Sequence, residues 1–473
     1  MPILFGIYLA IYEALNLKFV SMKKILLLFA AVSVSIPVFA QRHHITRHQY
    51  AGKPTVYVIS VTEADTLWSN NPALAEHQMM MRKNKAAQSA VADHRNAQRA
   101  GYQQVGEPSV IFANTSNSFS FAIGGYVNLR LGYGFESTID NIDVVPFDIP
   151  IPGDYATKQR LKMDASTSRI YFRGLAHTKK LGPVEIFFDV DFRGGNEGSY
   201  TPRLRSGYVS MFGLTVGRDV STFCDLTASP TTIDFEGPNA YNFNFATLIR
   251  YEYSFLNRHM KVGVAAEMPK VSATYGTTLD AVPQRVPDFP VYLQYAWGKN
   301  RESHIRASAV FRNMYLYNKE RSVTSGLFGW GVQASGNIHI IKMLQIFFNG
   351  VYGEGITPYI QDLTGNGLDF TPNPLDPTRV QTMPMYGWQA AAQLNILPNL
   401  FISGGYSTVT VCKKNGYYSP DEYKNGQYVF GNVFYHLTPR FQIAAEYLWA
   451  KRKNMNSEYN NSNRINMMVQ YNF

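Results

Sequence analysis

From Ser118 to Phe473 apolar and polar side chains alternate with a period of two, the pattern of strands whose two faces meet different surroundings. Val184, Ile186, Phe188, Val190 and Phe192 share one face, while Glu185, Asp189 and Asp191 share the other. Ile305, Ala307, Ala309 and Phe311 oppose Arg306, Ser308 and Arg312; Phe441, Ile443, Ala445, Tyr447 and Trp449 oppose Arg440, Gln442 and Glu446. Eight segments of this kind occupy Ser118–Phe135, Arg160–His177, Leu181–Arg193, Pro202–Phe212, Gly213–Asp219, Thr247–Phe255, His259–Glu267 and Val286–Gly298. Eight more follow at Glu302–Tyr317, Val323–His339, Ile341–Glu354, Val380–Leu397, Asn399–Cys412, Tyr423–Leu437, Pro439–Lys451 and Asn460–Phe473. Short connections such as Thr178–Lys180 and Leu256–Arg258 alternate with long ones such as Glu136–Gln159, Val220–Ala246 and Gly355–Arg379. An even strand count with short turns at one end and long loops at the other predicts an all-β fold: a sixteen-stranded antiparallel transmembrane β-barrel.

Residues 41–117 follow another pattern. Thr55–Ser60 reads as a short strand, and Ala73–Ala100 is rich in good helix formers between Pro72 and Gly101. One helix over about 72–100 is expected, with Ser109–Asn117 as a linker; together they form a periplasmic extension. Met22 to Ala40 has a basic start, an apolar core and small residues at its end, a secretory signal cleaved before Gln41. Met22 is then the expected true start, and the alternative is a membrane-anchored precursor beginning at Met1. The reading divides the chain into a signal peptide 1–40, an extension 41–117 and a barrel 118–473.

Composition sharpens this. Aromatics are 14% and charged residues only 16%, against roughly a quarter charged in soluble proteins. A large soluble all-β protein remains the plain alternative until the leader and the terminal strand are added. That strand places Ile465, Met467, Val469, Tyr471 and Phe473 on one face and resembles the signature by which outer-membrane barrels are recognised for assembly in Gram-negative bacteria. Without residues 1–40 the chain has 41 basic and 33 acidic side chains, a net charge of +8. In an exported protein that excess faces anionic solutes or lipopolysaccharide rather than nucleic acid. Cys224 and Cys412 form no disulfide framework, and a single bridge between them stays open. The loose spacing of His43, His44 and His48 suits a solvated tail, and no metal, cofactor or catalytic set is spaced for chemistry.

One stretch breaks the alternation. After Arg203, Arg205 and Arg218, about two dozen residues carry Asp225, Pro230, Asp234, Glu236, Gly237 and Pro238. In a closed barrel this loop folds inward as a constriction. By parity Arg169 and Arg173 point opposite to Ile170 and Phe172, and Arg203 and Arg205 opposite to Leu204. Arg160 and Arg218 complete the expected lumen set, facing Asp225, Asp234 and Glu236. Guanidinium groups keep their charge and grip carboxylates in a fork, so such a row would set a transverse field and select anions. The other reading is that the arginines only pin the loop to the wall. Tyr171, Phe188, Tyr251, Tyr253, Trp449 and Tyr471 read as lipid-facing or girdle residues, and His177, His259, His304, His339 and His436 as solvated segment ends.

The residues Arg160, Ser168-Arg169-Ile170-Tyr171-Phe172, Leu181-Gly182, Asp189-Val190-Asp191-Phe192, Arg203-Leu204-Arg205, Gly207-Tyr208, Gly217-Arg218, Ser221-Thr222-Phe223 and Asp234-Phe235-Glu236-Gly237-Pro238 resemble, in this order, the DcaP-like trimeric outer-membrane porins. The likeness implies a sixteen-stranded homotrimer with a helical periplasmic extension that takes up small anions, notably dicarboxylic acids. The sequence departs from the family at Arg218-Asp219-Val220, where a tryptophan is common, and at Cys224. A barrel hydrolase of phospholipase type and an adhesin are the alternatives; neither G-x-S-x-G nor H-E-x-x-H occurs.

Overall fold

The computed structural model describes residues 56–61, 72–114, 118–136, 142–153, 156, 158–180, 182–416 and 419–473. The signal peptide, its cleavage point and the early histidines lie outside them. Sixteen strands form the wall: β1 (Phe119–Glu136), β2 (Arg169–Thr178), β3 (Gly182–Asp191), β4 (Arg203–Met211), β5 (Leu214–Val220), β6 (Phe245–Phe255), β7 (Met260–Glu267) and β8 (Phe289–Trp297). The second half is β9 (Ser303–Asn318), β10 (Val323–Ile341), β11 (Leu344–Glu354), β12 (Pro384–Leu397), β13 (Leu400–Val411), β14 (Tyr423–His436), β15 (Phe441–Asn454) and β16 (Tyr459–Asn472). Each pairs antiparallel with its neighbours, and β16 returns to β1 through Val469↔Leu129 and its flanks, so no edge is left open. Phe473 and Gly125 exchange both backbone hydrogen bonds at the seam.

Alternation sorts the side chains as the sequence implied. Phe172, Ile186, Phe188, Val209, Ile249, Tyr251, Val264, Leu293, Val332, Trp388 and Val469 stand exposed on the outer face, where lipid accepts them. Tyr171 does not join them: it shares the inward face of Arg169 and Arg173, is fully buried, and donates to the Gly106 carbonyl at 2.9 Å. The expected single strand Arg160–His177 is broken at residues 165–168. There the Asp164 carboxylate accepts from the Ser166 amide and hydroxyl, competing with the ladder. The outer piece, Arg160–Asp164, still pairs with β1.

Helix α1 covers Pro72–Asn96, somewhat shorter than expected. The expected linker is in part a strand: Val110–Asn114 runs parallel to Tyr57–Val61 and antiparallel to β1, extending the wall beyond the end of β16. Ala90 of α1 packs on Ile111, Ala113 and Ala122 there.

Candidate functional site in the barrel lumen

Residues 221–244, between β5 and β6, fold inward and cross to the opposite wall. Gln389 of β12 donates to the Ala228 carbonyl, Asn432 of β14 to the Thr231 carbonyl, and Asn349 of β11 to the Ala240 carbonyl, all at 3.0–3.1 Å. Ser407 of β13 accepts from the Ala240 amide at 2.9 Å. Glu446 of β15 accepts from the amides of Ile233 and Asp234 at 3.0 and 2.8 Å. Glu267 of β7 likewise accepts from the Ser221 hydroxyl and the Thr222 amide at 2.7 Å. Side-chain amides, hydroxyls and carboxylates of the wall thus pin the loop, while, among the described residues, the arginines that precede it form no ion pair with its carboxylates.

Those arginines pair within their own wall. Arg203 makes a fork on Asp191 at 2.9 and 2.6 Å, and Arg205 reaches the same carboxylate at 2.9 Å. Arg169 holds Asp189, and Arg173 lies 3.1 Å from Glu185. Arg130 of β1 bonds Asp143 at 2.7 Å and Asp164 at 2.9 Å, and Arg193 shares Asp143. Arg99 and Arg250 each reach Asp219 at 2.6 Å. Asp143, Asp191 and Asp219 thus serve two guanidinium groups apiece, one of them Arg99 from outside the wall, and Arg130 in turn serves two carboxylates, so that in these pairs eight guanidinium groups meet six carboxylates. The ring of Phe235, carried in by the loop, sits against Arg130, Arg193 and Arg205 at 5.7, 4.8 and 5.2 Å from its centroid. Arg218 bonds the Leu204 carbonyl at 3.1 Å and stacks on Phe245, while Arg160 opens the outer piece of the wall on the face of Lys162 and Asp164.

The loop carboxylates look elsewhere. Asp225 bonds His304 at 2.8 Å and Ser335 at 2.7 Å, so His304 is a buried partner rather than a solvated end. Asp234 accepts from Tyr428 at 2.9 Å and from the Val144 amide at 3.0 Å. Burial, then the nearby charges of Asp143 and Glu446, push its carboxyl up to about 8. Burial, then the charges of Asp143 and Asp234, raise Glu236 well above the carboxylate range. Burial alone would raise Asp143, but Arg193 and Arg130 outweigh it and hold it well below.

Two further segments enter the lumen, and the sequence reading placed neither there. Residues 355–369 were expected as an outer loop; instead Ile356, Tyr359, Ile360, Leu363 and Leu368 pack with Phe223, Met383, Met385 and Val409 in a buried apolar cluster. Their run of apolar residues is the signal that no solvated loop would carry. Arg312, buried between Asp288 and Asp369 at 3.0 Å each, locks this segment to β9. The second is the hairpin of residues 97–109 between α1 and Val110. It rises from the short-turn end of the barrel to the constriction loop, where the Tyr102 amide donates to Leu226 at 2.7 Å and its hydroxyl to Phe235 at 2.6 Å. Gln103 meets the arginines: Arg169 donates to its main-chain carbonyl and Arg205 to its side-chain oxygen at 2.8 Å. A cavity of about 170 Å3 remains beside it, lined by Tyr102, Gln104, Asn128, Arg130, Thr231 and Gln470 among others.

A closed barrel with two loops and a hairpin folded into a charged lumen defines a transmembrane channel protein. The family model of the porin subfamily matches residues 121–472, and the chain belongs to that family, a porin of the outer membrane. The outer-membrane channel DcaP of Acinetobacter baumannii shares the fold, at 19% identity over 75% of this chain and 98% of that one, with a TM-score of 0.66. An anion-selective porin from Comamonas acidovorans aligns at 11% identity over 75% of this chain and 100% of that one, with a TM-score of 0.48. No curated protein matches the sequence.

Proposed function

We propose that the protein lets small hydrophilic anions, dicarboxylates among them, diffuse passively across the outer membrane, without turnover. The observation that carries this is the sharing of Asp143, Asp191 and Asp219 by two guanidinium groups each. An incoming carboxylate meets a wall whose cations outnumber its anions, while the facing acids Asp234 and Glu446 are satisfied by hydroxyls and amides. Lumen-lining charge of one sign is how such pores select ions. Burial, then the nearby charges of Arg218 and Arg203, lower the Lys270 ammonium, and the three side chains extend the basic surface toward the long-loop end.

We place the short-turn end, with the hairpin and α1, on the periplasmic side, and take the homotrimer implied by the sequence resemblance as the assembled form. The protein's net basic charge suits contact with lipopolysaccharide. The hydrolase alternative finds no support in the Ser335–Asp225–His304 grouping: Ser335 donates to the carboxylate, not to the imidazole, so nothing activates its oxygen. The test is liposome swelling with purified protein. Succinate should enter faster than a neutral solute of equal size, and a cationic one more slowly. Equal rates for all three would refute anion preference and leave a general porin.

A further inference from the structure

Gln103 presents two oxygens to two guanidinium groups on different strands, the arrangement a carboxylate-bearing solute would itself adopt on the basic wall. We infer that the hairpin of residues 97–109 is a displaceable plug, and that carboxylate solutes open the lumen by taking Arg169 and Arg205 from Gln103. This rests on the porin reading and adds to it a gate and the seat at which the gate is released.

Three observations support withdrawal as a rigid, reversible step. The hairpin is closed at its own base, where Arg95 lies 3.0 Å from Glu107 and the Gln98 amide donates to the Val105 carbonyl at 2.9 Å. It contributes no strand to the sixteen-stranded ladder, which closes through β16 and β1 without it. Its departure also strands no wall charge: Arg169 keeps Asp189, Arg205 keeps Asp191, and Asp219 keeps Arg250 when Arg99 leaves. Amide oxygens are weaker acceptors for guanidinium than a carboxylate, so a solute that offers charge has the stronger bond. The plug competes from within the same chain, at an effective concentration set by its short tether. Apparent solute affinity is then lowered by the fraction of molecules in which the seat is free.

Docking of the tip depends on an absent side chain. At Gly101, with φ +115°, a Cβ would stand 2.4 Å from the Leu226 carbonyl oxygen. Gly101→Ala therefore unseats the tip while leaving every arginine and the barrel wall untouched. A second variant replaces residues 99–104 by two glycines, bridging the Gln98–Val105 contact.

The experiment is single-channel conductance of the full-length protein in planar bilayers, with folding verified by heat-modifiable migration, followed by titration with succinate. Wild type should show a small conductance that succinate increases. The excised variant should conduct severalfold more from the start, with Gly101→Ala between the two. Half-saturation by succinate should fall about tenfold on excision if the free seat is populated about one part in ten. Equal conductance and equal succinate response in wild type and both variants would refute the plug while leaving the porin intact. Folded protein that conducts in none of the three would sink the porin reading and the plug with it.

Discussion

The two halves of the lumen are built on different principles. Along β1 to β6 the inward side chains are charged, and their ion pairs run between neighbouring strands: Arg169 with Asp189, Arg203 and Arg205 with Asp191, Arg250 with Asp219. Across from them, residues 355–369 and part of the constriction loop bury an apolar cluster, held by neutral hydrogen bonds and by the enclosed Arg312. Arg203 is partly exposed to the lumen, whereas Arg169, Arg205 and Arg250 are buried, the first two beneath Gln103 of the hairpin; a charge paired across the lumen would be consumed in bracing. Under the proposed function the first half sets ion preference, while the second half anchors the loops.

The largest effect should come from breaking the second half at the buried Arg312. Arg312→Met leaves Asp288 and Asp369 buried without their partner and should cost about 3–5 kcal/mol. It should appear as a lowered urea midpoint and early proteolysis within residues 355–369. Smaller is Tyr359→Phe, which removes the 3.0 Å bond to Asp288 but keeps the ring against Phe223. About 1 kcal/mol is expected in the same unfolding assay. Neither change should alter anion preference in channels that remain folded.

In the first half the order reverses. Arg203→Ala should move the urea midpoint little, because Arg203 is partly exposed and such pairs contribute at most about 1 kcal/mol. Its effect belongs in ion preference. A finer probe is pH. Asp234 carries a folded-state pKa raised to about 8, so its contribution to loop docking is full below the ordinary carboxylate pKa and is lost as pH rises through about 8. Hydrogen-exchange protection of residues 233–237 should fall over that range, and Asp234→Asn should flatten the profile. An unchanged slope in the variant would assign the pH dependence to another acid.

The barrel was legible in the sequence because lipid outside and water or charge inside impose a strict period of two. All sixteen expected segments overlap observed strands, and Arg169, Arg173, Arg203 and Arg205 point inward as their parity implied. The partners of those arginines were less legible. Asp189 and Asp191 lie on the same polar face, yet the acidic loop drew the pairing expectation toward Asp225, Asp234 and Glu236; Asp225 bonds His304 instead, and Asp234 bonds Tyr428 and the Gly237 amide. The hairpin at Gly101–Gly106 carries no periodicity at all, because its contacts are single polar bonds to elements far away in sequence. Arg130 could have been found by its parity with Asn128 on β1, and residues 355–369 by their apolar run.

Under the proposed function, unbalanced guanidinium charge on one wall sets ion preference. Its most direct test is the reversal potential in a planar bilayer under a potassium chloride gradient, comparing wild type with Arg203→Ala/Arg205→Ala. The expected wild-type potential has the sign for chloride preference and moves toward zero in the double variant. A cation-preferring wild type, or a double variant that keeps the full chloride preference, would contradict it.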